Sequence, residues 1–211
     1  MIPIDQLFLF ALAAFVLVIS PGPNMIYLIS RSITQGKKAG LISLAGVISG
    51  FLFHIILVSF GLTALLFAIP LAYTLLKTIG VVYLLYLAWQ AVKPGSKGIF
   101  ETKKDLPADK PAKLFRMGFL TNVLNPKVAV FYLSFFPQFI KPAYGSILSQ
   151  SLQLGITQVF VSFTINFIIV ICAARLAVWF AKKPQWIRAQ KWFMASVLTA
   201  LAAKMALDKS K

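Results

Sequence analysis

The sequence is poor in acidic residues and holds a single cysteine and a single histidine. It has five Asp and Glu side chains among 211 residues, against 21 Lys and Arg. A single thiol excludes an intramolecular disulfide and a two-thiol redox relay. The clustered acids, bases or metal ligands that an enzyme site requires are also missing. We therefore expect a protein that is not an enzyme, with no metal site and no cofactor.

Charged residues of either sign are absent from long stretches of the chain. Residues 6–30, 39–76 and 142–174 contain no Asp, Glu, Lys or Arg, and apolar residues make up 59% of the sequence. About 20 apolar residues in a row span a bilayer as a helix, which predicts an integral membrane protein surrounded by lipid. The net charge of +16 lies in the gaps between these stretches. That placement is typical of membrane topology rather than of a nucleic-acid partner.

Six apolar segments predict six transmembrane helices in a single domain, residues 1–211. We place the helices at residues 7–30, 40–67, 71–92, 115–139, 147–180 and 187–207. The polar, Lys- and Pro-rich residues 93–113 are predicted to form a flexible cytoplasmic linker. Because Lys and Arg concentrate in the first, third and fifth loops, those loops are predicted to be cytoplasmic and both termini external.

Three helices, a linker and three further helices suggest an internal duplication. The repeats would cover about residues 1–92 and 114–211, and the odd number of spans in each would invert one against the other. Many transporters are built from such repeats and bind their substrate between them at broken helices. We therefore expect an all-α integral membrane fold of six transmembrane helices, arranged as two inverted three-helix repeats with helices 1 and 4 broken.

Each predicted repeat opens with a helix that carries a proline motif. Residues 20–24 read Ser-Pro-Gly-Pro-Asn, and residues 122–127 read Asn-Val-Leu-Asn-Pro-Lys. Proline removes a backbone donor and disrupts the preceding turn, and open backbone within a membrane is tolerated only inside protein or beside a water-filled cavity. Ordinary proline kinks are the alternative interpretation. The matching motifs favour a substrate site formed by Pro21, Gly22, Pro23, Asn24, Asn125, Pro126 and Lys127.

The second and fifth helices carry stripes of small and polar residues at the same spacing. These stripes are Ser43, Gly46, Gly50 and His54, and Gly155, Gln158, Ser162 and Asn166. Close helix packing is the favoured interpretation for Gly46 and Gly50. For His54, Gln158 and Asn166, lining of a polar cavity is an equal alternative. We assign Gln158 and Asn166 to the substrate site and His54 to proton coupling, because an unperturbed histidine has a pKa of about 6.5.

Lys127 is the only charged residue within the apolar span of the fourth helix. A half-helix that starts at Pro126, with Asn125 as its cap, would direct backbone N–H groups and a partial positive charge towards the cavity. Lys127 would either extend to the membrane surface or bind an anion, and we expect it to bind the substrate's carboxylate. The other groups expected around the substrate are neutral: Asn24, His54, Gln158 and Asn166. This set favours neutral amino acids such as threonine, homoserine or leucine over lysine or arginine.

The same motifs resemble those of the LysE/RhtB family of amino-acid exporters over nearly the whole chain. The resemblance is carried by Pro21-Gly22-Pro23, the Gly-rich stretch Gly36 to Gly50, Tyr83-Leu84, Asn125-Pro126-Lys127 and Phe135-Phe136-Pro137-Gln138-Phe139. Many members carry Asp where this chain has Asn24, after Gly50 and near Asn166, so dibasic substrates are less expected here. The resemblance implies a secondary transporter in the bacterial inner membrane that exports amino acids or related metabolites, with the proton gradient as its energy source.

The sequence leaves two alternative functions open, and it also leaves open a homodimer. A passive membrane channel and a non-transport membrane protein are the alternatives to a transporter. The chain has no Walker motif, so we do not expect it to hydrolyse ATP. The glycine pairs Gly36/Gly40 and Gly46/Gly50 would suit a homodimer interface, although the same spacing also serves packing within one chain.

Overall fold

The computed structural model describes residues 1–20, 22–59, 70–94, 108–181 and 184–207. The regular elements in these ranges are helices: α1 (Ile4–Ile19), α2 (Pro23–Thr34), α3 (Gly36–Leu57), α4 (Pro70–Val92), α5 (Pro111–Val123), α6 (Pro126–Val130), a π-helical segment (Phe131–Phe135), two 3-10 turns (Phe136–Phe139 and Pro142–Tyr144), α7 (Ile147–Ala181) and α8 (Pro184–Leu207). Prolines stand in the first turn of α2, α5 and α6. A missing N–H has no helical partner to lose at that position.

Several of these helices have the length and composition of membrane spans. Helix α3 and residues Ile147–Arg175 of α7 can each cross a bilayer, with mean hydropathies of 2.2 and 2.1. The first bent helix, α1 with α2, and the second bent helix, α5 with Pro126–Phe139, qualify as pairs that turn by 54° and 45°. An all-helical membrane protein with two broken helices is therefore confirmed within the described ranges. Six spans in two inverted repeats stay a prediction.

The distribution of polarity across these helices is reversed relative to a soluble protein. Phe8, Ile156 and Phe160 are 71%, 68% and 70% exposed, whereas Asn122 and Gln158 are fully buried. Lipid solvates large apolar side chains, and polar groups at membrane depth face the protein interior. The outer surface therefore suits lipid, and the polar groups available for function are collected inside.

The helix boundaries depart from those predicted by a few residues at several places, of which two affect the connections between helices. The second predicted helix begins at Gly36 rather than Gly40, directly after α2 ends at Thr34. The chain turns there because Gly36 adopts a φ of +83°, which favours glycine. The fourth begins at Pro111, so the last residues of the predicted linker are helical. The end of the second predicted helix, most of the linker and Pro21 lie outside the described residues.

The last part of the predicted linker is anchored through Asp109. Its carboxylate accepts hydrogen bonds from Arg31 Nη1 at 2.6 Å and from Gln35 Nε2 at 3.0 Å, and it pairs with Lys113 Nζ at 2.6 Å. These four residues are called the Asp109 cluster. Hydrogen bonds from Lys113 and Gln35, together with the charge of Arg31, hold the pKa of the Asp109 carboxyl below its ordinary value. The cluster ties the start of α5 to the junction of α2 and α3.

Helices α3 and α5 pack with their backbones in contact. A Cβ on Gly46 would lie 2.1 Å from the carbonyl oxygen of Phe115, and one on Gly118 would lie 2.3 Å from that of Ser43. A Cβ on Gly50 would lie 2.6 Å from Asn122 Cβ. The packing interpretation of Gly46 and Gly50 is thus confirmed, and this glycine pair is used inside the chain. It therefore gives no support to a homodimer.

Aromatic rings fix the second bent helix against α1. Phe10 is fully buried, and its ring centroid lies 5.6, 5.7 and 5.2 Å from those of Phe131, Phe136 and Phe139. Pro137 cannot donate to the preceding turn, and the helix changes from α through π to 3-10 geometry around it. The rings hold this irregular segment beside the middle of α1.

Candidate functional site

The breaks of the two bent helices are joined by the side chain of Lys127. This residue is the second of α6 and is only 6% exposed. Its Nζ donates hydrogen bonds to the carbonyl oxygens of Ser20, at 2.7 Å, and of Leu17, at 2.9 Å. Both carbonyls lie at the C-terminal end of α1, more than 100 residues earlier in the chain (separations of 107 and 110). The side chain therefore points into the protein and not to the membrane surface.

The carbonyls that Lys127 contacts lack helical partners for a reason that is visible in the sequence. In a continuous helix Leu17 O would accept a hydrogen bond from residue 21, which is a proline without an N–H. Ser20 O would accept one from Asn24, which lies beyond the break. An unsatisfied carbonyl within a membrane costs several kcal/mol. The ammonium of Lys127 supplies the donors that these oxygens need.

Gly22 leaves the space that Lys127 requires. A Cβ at this position would lie 2.9 Å from Lys127 Nζ and 3.1 Å from Lys127 Cε. The φ of Gly22 is −171°, an extended conformation that any residue can adopt. Glycine is therefore needed here for the close approach of the lysine rather than for its backbone freedom.

Asn125 caps α6 as its position before Pro126 predicts. Its Oδ1 accepts a hydrogen bond from the backbone N–H of Lys127 at 3.0 Å, and Pro126 is the first helical residue. Pro23 has the corresponding place at the start of α2, where no side chain caps the helix. The two prolines therefore begin the second halves of the two bent helices.

A small polar cavity lies beside Lys127 and takes residues from α1, α2, α3, α6 and α7. Its volume is about 20 Å³, and its polar lining consists of Asn24, Lys127 and Asn166. The rest of the lining is apolar: Leu17, Val18, Met25, Phe51 and Val128. A cavity of this size holds about one water molecule. The cavity is therefore too small for an amino acid in this conformation and has to widen to hold one.

Several buried polar atoms around the breaks are unpaired among the described residues. They include Ser20 Oγ, Asn24 Oδ1 and Asn125 Nδ2. An unsatisfied buried polar group costs about 1–3 kcal/mol, and each one calls for an explanation such as water or a ligand. Asn166 differs, because its Nδ2 donates to Ser162 O at 2.8 Å. The lining of the polar cavity thus offers unused hydrogen-bonding capacity.

No carboxylate of the described residues pairs with Lys127. The five acidic residues of the chain all lie outside the predicted spans: Asp5, Glu101, Asp105, Asp109 and Asp208. Only neutral carbonyl oxygens are hydrogen-bonded to the Lys127 amine among the described residues, so its protonated form has no counter-ion there. The polar cavity is therefore suited to an anionic group.

His54 and Gln158 do not line the polar cavity. The ring of His54 stacks on Tyr132, with centroids 5.2 Å apart, and its Nε2 lies 3.5 Å from Asn122 O. Gln158 Nε2 donates to Ser162 Oγ at 3.0 Å, while its Oε1 is unpaired in the described part of the chain. The structure thus brings Gly22, Asn24, Lys127 and Asn166 together, and leaves His54 and Gln158 outside this group.

Sequence reasoning missed three contributors to the site. The carbonyls of Leu17 and Ser20 bind Lys127, and the position of Leu17 four residues before Pro21 was a readable signal. Asn122 is fully buried beside the second break, and neither of its side-chain polar atoms has a partner among the described residues. Its place at the start of the Asn-Val-Leu-Asn-Pro-Lys motif was the available signal.

Comparison with known proteins gives matches over most of the chain. The family profile described as LysE type translocator matches residues 15–209. Two proteins named homoserine/homoserine lactone efflux protein, from Salmonella typhimurium and Salmonella typhi, are each 31% identical over 199 residues, covering 94% of this chain and 95% of their own. An uncharacterized membrane protein of Vibrio cholerae is 34% identical over 167 residues, covering 79% of this chain and 80% of its own. No solved structure matches the chain.

Proposed function

The chain belongs to the LysE type translocator family, and from this premise we propose that it exports a neutral amino acid or a related metabolite. Substrates of the size of threonine, homoserine or leucine cross the bacterial inner membrane by alternating access, and the proton gradient drives them. The proposal rests chiefly on the polar cavity, in which one buried cation lies beside the neutral amides of Asn24 and Asn166.

Lys127 is proposed to bind the substrate's carboxylate. Its ammonium has three N–H donors, and two of them contact the carbonyls of Leu17 and Ser20. A carboxylate that enters the polar cavity gains a charge-assisted hydrogen bond, which contributes about 1.5–3 kcal/mol. The N-terminal N–H groups of α2, next to Asn24, add a partial positive charge on the same side.

The uncharged lining of the cavity supports a neutral side chain on the substrate. Asn24 and Asn166 can pair with hydroxyl or ammonium groups, and the remaining lining is apolar. A second positive charge, as in lysine or arginine, would be buried here without a counter-ion, which is strongly unfavourable. The names of the two Salmonella relatives refer to homoserine, whose side chain is uncharged.

The small volume of the cavity supports alternating access. About 20 Å³ admits a water molecule but not an amino acid. The breaks at Ser20–Gly22 and Leu124–Asn125 supply positions where the halves of each bent helix can change angle. Opening to one side of the membrane at a time would then follow from movement at these breaks.

The proposed export is tested by efflux of preloaded amino acids from cells or vesicles that contain the protein. Efflux of homoserine, threonine and leucine should be faster with the protein than without it, whereas efflux of lysine and arginine should be unchanged. An uncoupler should abolish the increase. Faster efflux that an uncoupler does not change would indicate a passive channel. Equal efflux with and without the protein, for all five amino acids, would exclude a transport function of this kind.

A further inference from the structure

We propose that the carbonyl oxygens of Leu17 and Ser20 form the binding site for the substrate's ammonium group, and that Lys127 occupies this site when no substrate is bound. The inference rests on the proposed export of an amino acid. It assigns a role to the broken end of α1, which has no helical partner of its own. Lys127 would then exchange between two positions, one on these carbonyls and one on the substrate's carboxylate.

The contacts of Lys127 define where an ammonium group fits. Its Nζ lies 2.7 Å from Ser20 O and 2.9 Å from Leu17 O. The α-ammonium of an amino acid has the same three donors and the same charge as the lysine ammonium. The C-terminal end of a helix also carries a partial negative charge. The position that Nζ now holds is therefore suited to the ammonium of a ligand.

A zwitterion allows the exchange without leaving a charged group unpaired. When its ammonium takes the carbonyls of Leu17 and Ser20, its carboxylate is available to Lys127. A ligand with an ammonium and no carboxylate displaces Lys127 from the carbonyls and offers the lysine no anionic group to bind. A ligand with a carboxylate and no ammonium either draws Lys127 away from the carbonyls or meets only the ammonium's third donor. The arrangement therefore selects molecules that carry both groups a short distance apart.

The surroundings of Lys127 leave it free to move in this way. No carboxylate of the described residues holds it, and the polar cavity beside it contains the unpaired Asn24 Oδ1. Asn24 is 9% exposed, so its oxygen is buried and accepts hydrogen bonds. Gly22 lies beside Nζ and has no side chain, whereas a Cβ at this position would lie 2.9 Å from Nζ.

Two ligands and three variants test the exchange by direct binding to the full-length protein in lipid nanodiscs. The ligands are homoserine and its carboxylate-free amino alcohol, 2-aminobutane-1,4-diol, at a pH where both amines are protonated. Lys127→Met removes the competing ammonium. Lys127→Gln removes the charge and keeps an N–H donor for one of the carbonyls. Lys141→Gln, a change of an exposed lysine after the second bent helix, is the matched control.

The proposal predicts opposite changes for the two ligands. In Lys127→Met the Kd of homoserine should rise about tenfold or more, and that of the amino alcohol should fall about tenfold relative to the wild type. In Lys127→Gln the amino alcohol should bind tighter by about two- to fivefold, since a neutral amide competes less strongly for the carbonyls than an ammonium does. Both ligands should bind Lys141→Gln as they bind the wild type.

Three results would overturn the exchange. If both ligands weaken together in Lys127→Met, the lysine serves only as a structural cap of α1. If the amino alcohol binds no tighter to either Lys127→Met or Lys127→Gln, the carbonyls are not the ammonium site. Lys127→Gln keeps an N–H donor for these carbonyls, so its result stands even where Lys127→Met fails to fold. If the wild type binds no homoserine, threonine or leucine at all, the proposed substrate class fails together with the exchange.

Discussion

Arg31 and Lys127 are both cations near the breaks and ends of half-helices, but their partners differ in charge. Arg31, in the last turn of α2, forms an ion pair with Asp109 at 2.6 Å. Lys127, near the start of α6, contacts only the neutral carbonyls of Leu17 and Ser20. Within the described residues the first cation is compensated by a carboxylate and the second is not.

The difference distinguishes an ion pair that holds helices together from a position that attracts a ligand. In the Asp109 cluster the carboxylate offsets the charge of Arg31, and it also binds Lys113 and Gln35. An anion gains little by approaching a cation that is already paired. The protonated form of Lys127 has no counter-ion among the described residues, so an anion that enters the polar cavity gains an electrostatic partner. The location of the uncompensated charge therefore indicates the site better than the number of polar contacts does.

The comparison assumes that the two regions lie at different depths, and topology tests this assumption most directly. A reporter fused after Lys97 should be cytoplasmic, and one fused to the C-terminus should be periplasmic, because Lys and Arg concentrate in alternate loops. The expected result is all-or-none and is measured with paired phosphatase and fluorescent reporters. A cytoplasmic C-terminus would rule out two inverted three-helix repeats.

Removal of each cation should affect export very differently. Lys127→Gln should lower efflux of homoserine roughly 10- to 100-fold, since a charged hydrogen bond of about 1.5–3 kcal/mol is lost. Membrane abundance should stay normal. Arg31→Gln should leave efflux per inserted molecule within about threefold, the range of an exposed or partly exposed ion pair. Efflux from Lys127→Gln at the wild-type rate would remove the anchoring role from this lysine.

A third buried ionisable group, His54, sharpens the comparison because it has no carboxylate partner among the described residues and does not line the cavity. If it carries the coupled proton, His54→Gln should abolish the dependence of efflux on external pH while abundance and thermal stability change little. The expected loss of efflux is a few-fold. The measurement is efflux from pH 5.5 to 8, with Tyr132→Phe as a control for the stacked ring. An unchanged pH profile would make His54 a packing residue.

The smallest effect is expected for loss of the ion pairs in the Asp109 cluster. Hydrogen bonds from Lys113 and Gln35 and the charge of Arg31 lower the pKa of Asp109. A carboxyl whose pKa is lower in the folded state stabilises the fold above its ordinary pKa of about 3.9, and this contribution disappears as pH falls through the lowered value. Asp109→Asn should therefore melt at a lower temperature than the wild type at pH 7.

The same variant can be followed to low pH. The gap between its Tm and that of the wild type should narrow as pH approaches 3, because the wild-type carboxyl is then increasingly protonated. Asp5→Asn, which changes an exposed carboxyl near the start of α1, serves as the control. A gap that stays constant across this range would show that the cluster does not depend on the charge of Asp109.

Much of the site could be predicted because its determinants are local. Prolines without an N–H predict the breaks, and an asparagine before Pro126 predicts the cap that Asn125 forms. Asn24, Lys127 and Asn166 also line one cavity, as residue type and depth suggested. Whether they bind substrate is still a prediction.

The parts that could not be predicted depend on contacts between distant segments. The linker is polar enough to predict that it makes no fixed contacts, yet Asp109 forms an ion pair with Arg31, 78 residues away in the chain. His54 shares a helical face with Gly50, but its ring stacks on Tyr132 of the second bent helix. Periodicity shows which residues share a face, and it does not show what that face meets.

The sequence by itself determined the membrane environment, the positions of the two breaks and the absence of acids at depth. These follow from runs of apolar residues, from proline's missing donor and from composition, all of which act over a few residues. Only the tertiary structure decided that Lys127 would bind the open end of α1, across 107 and 110 residues of chain. A free carbonyl and a buried ammonium each require a hydrogen-bond partner. The packing of the two bent helices brings these groups within hydrogen-bonding distance of each other.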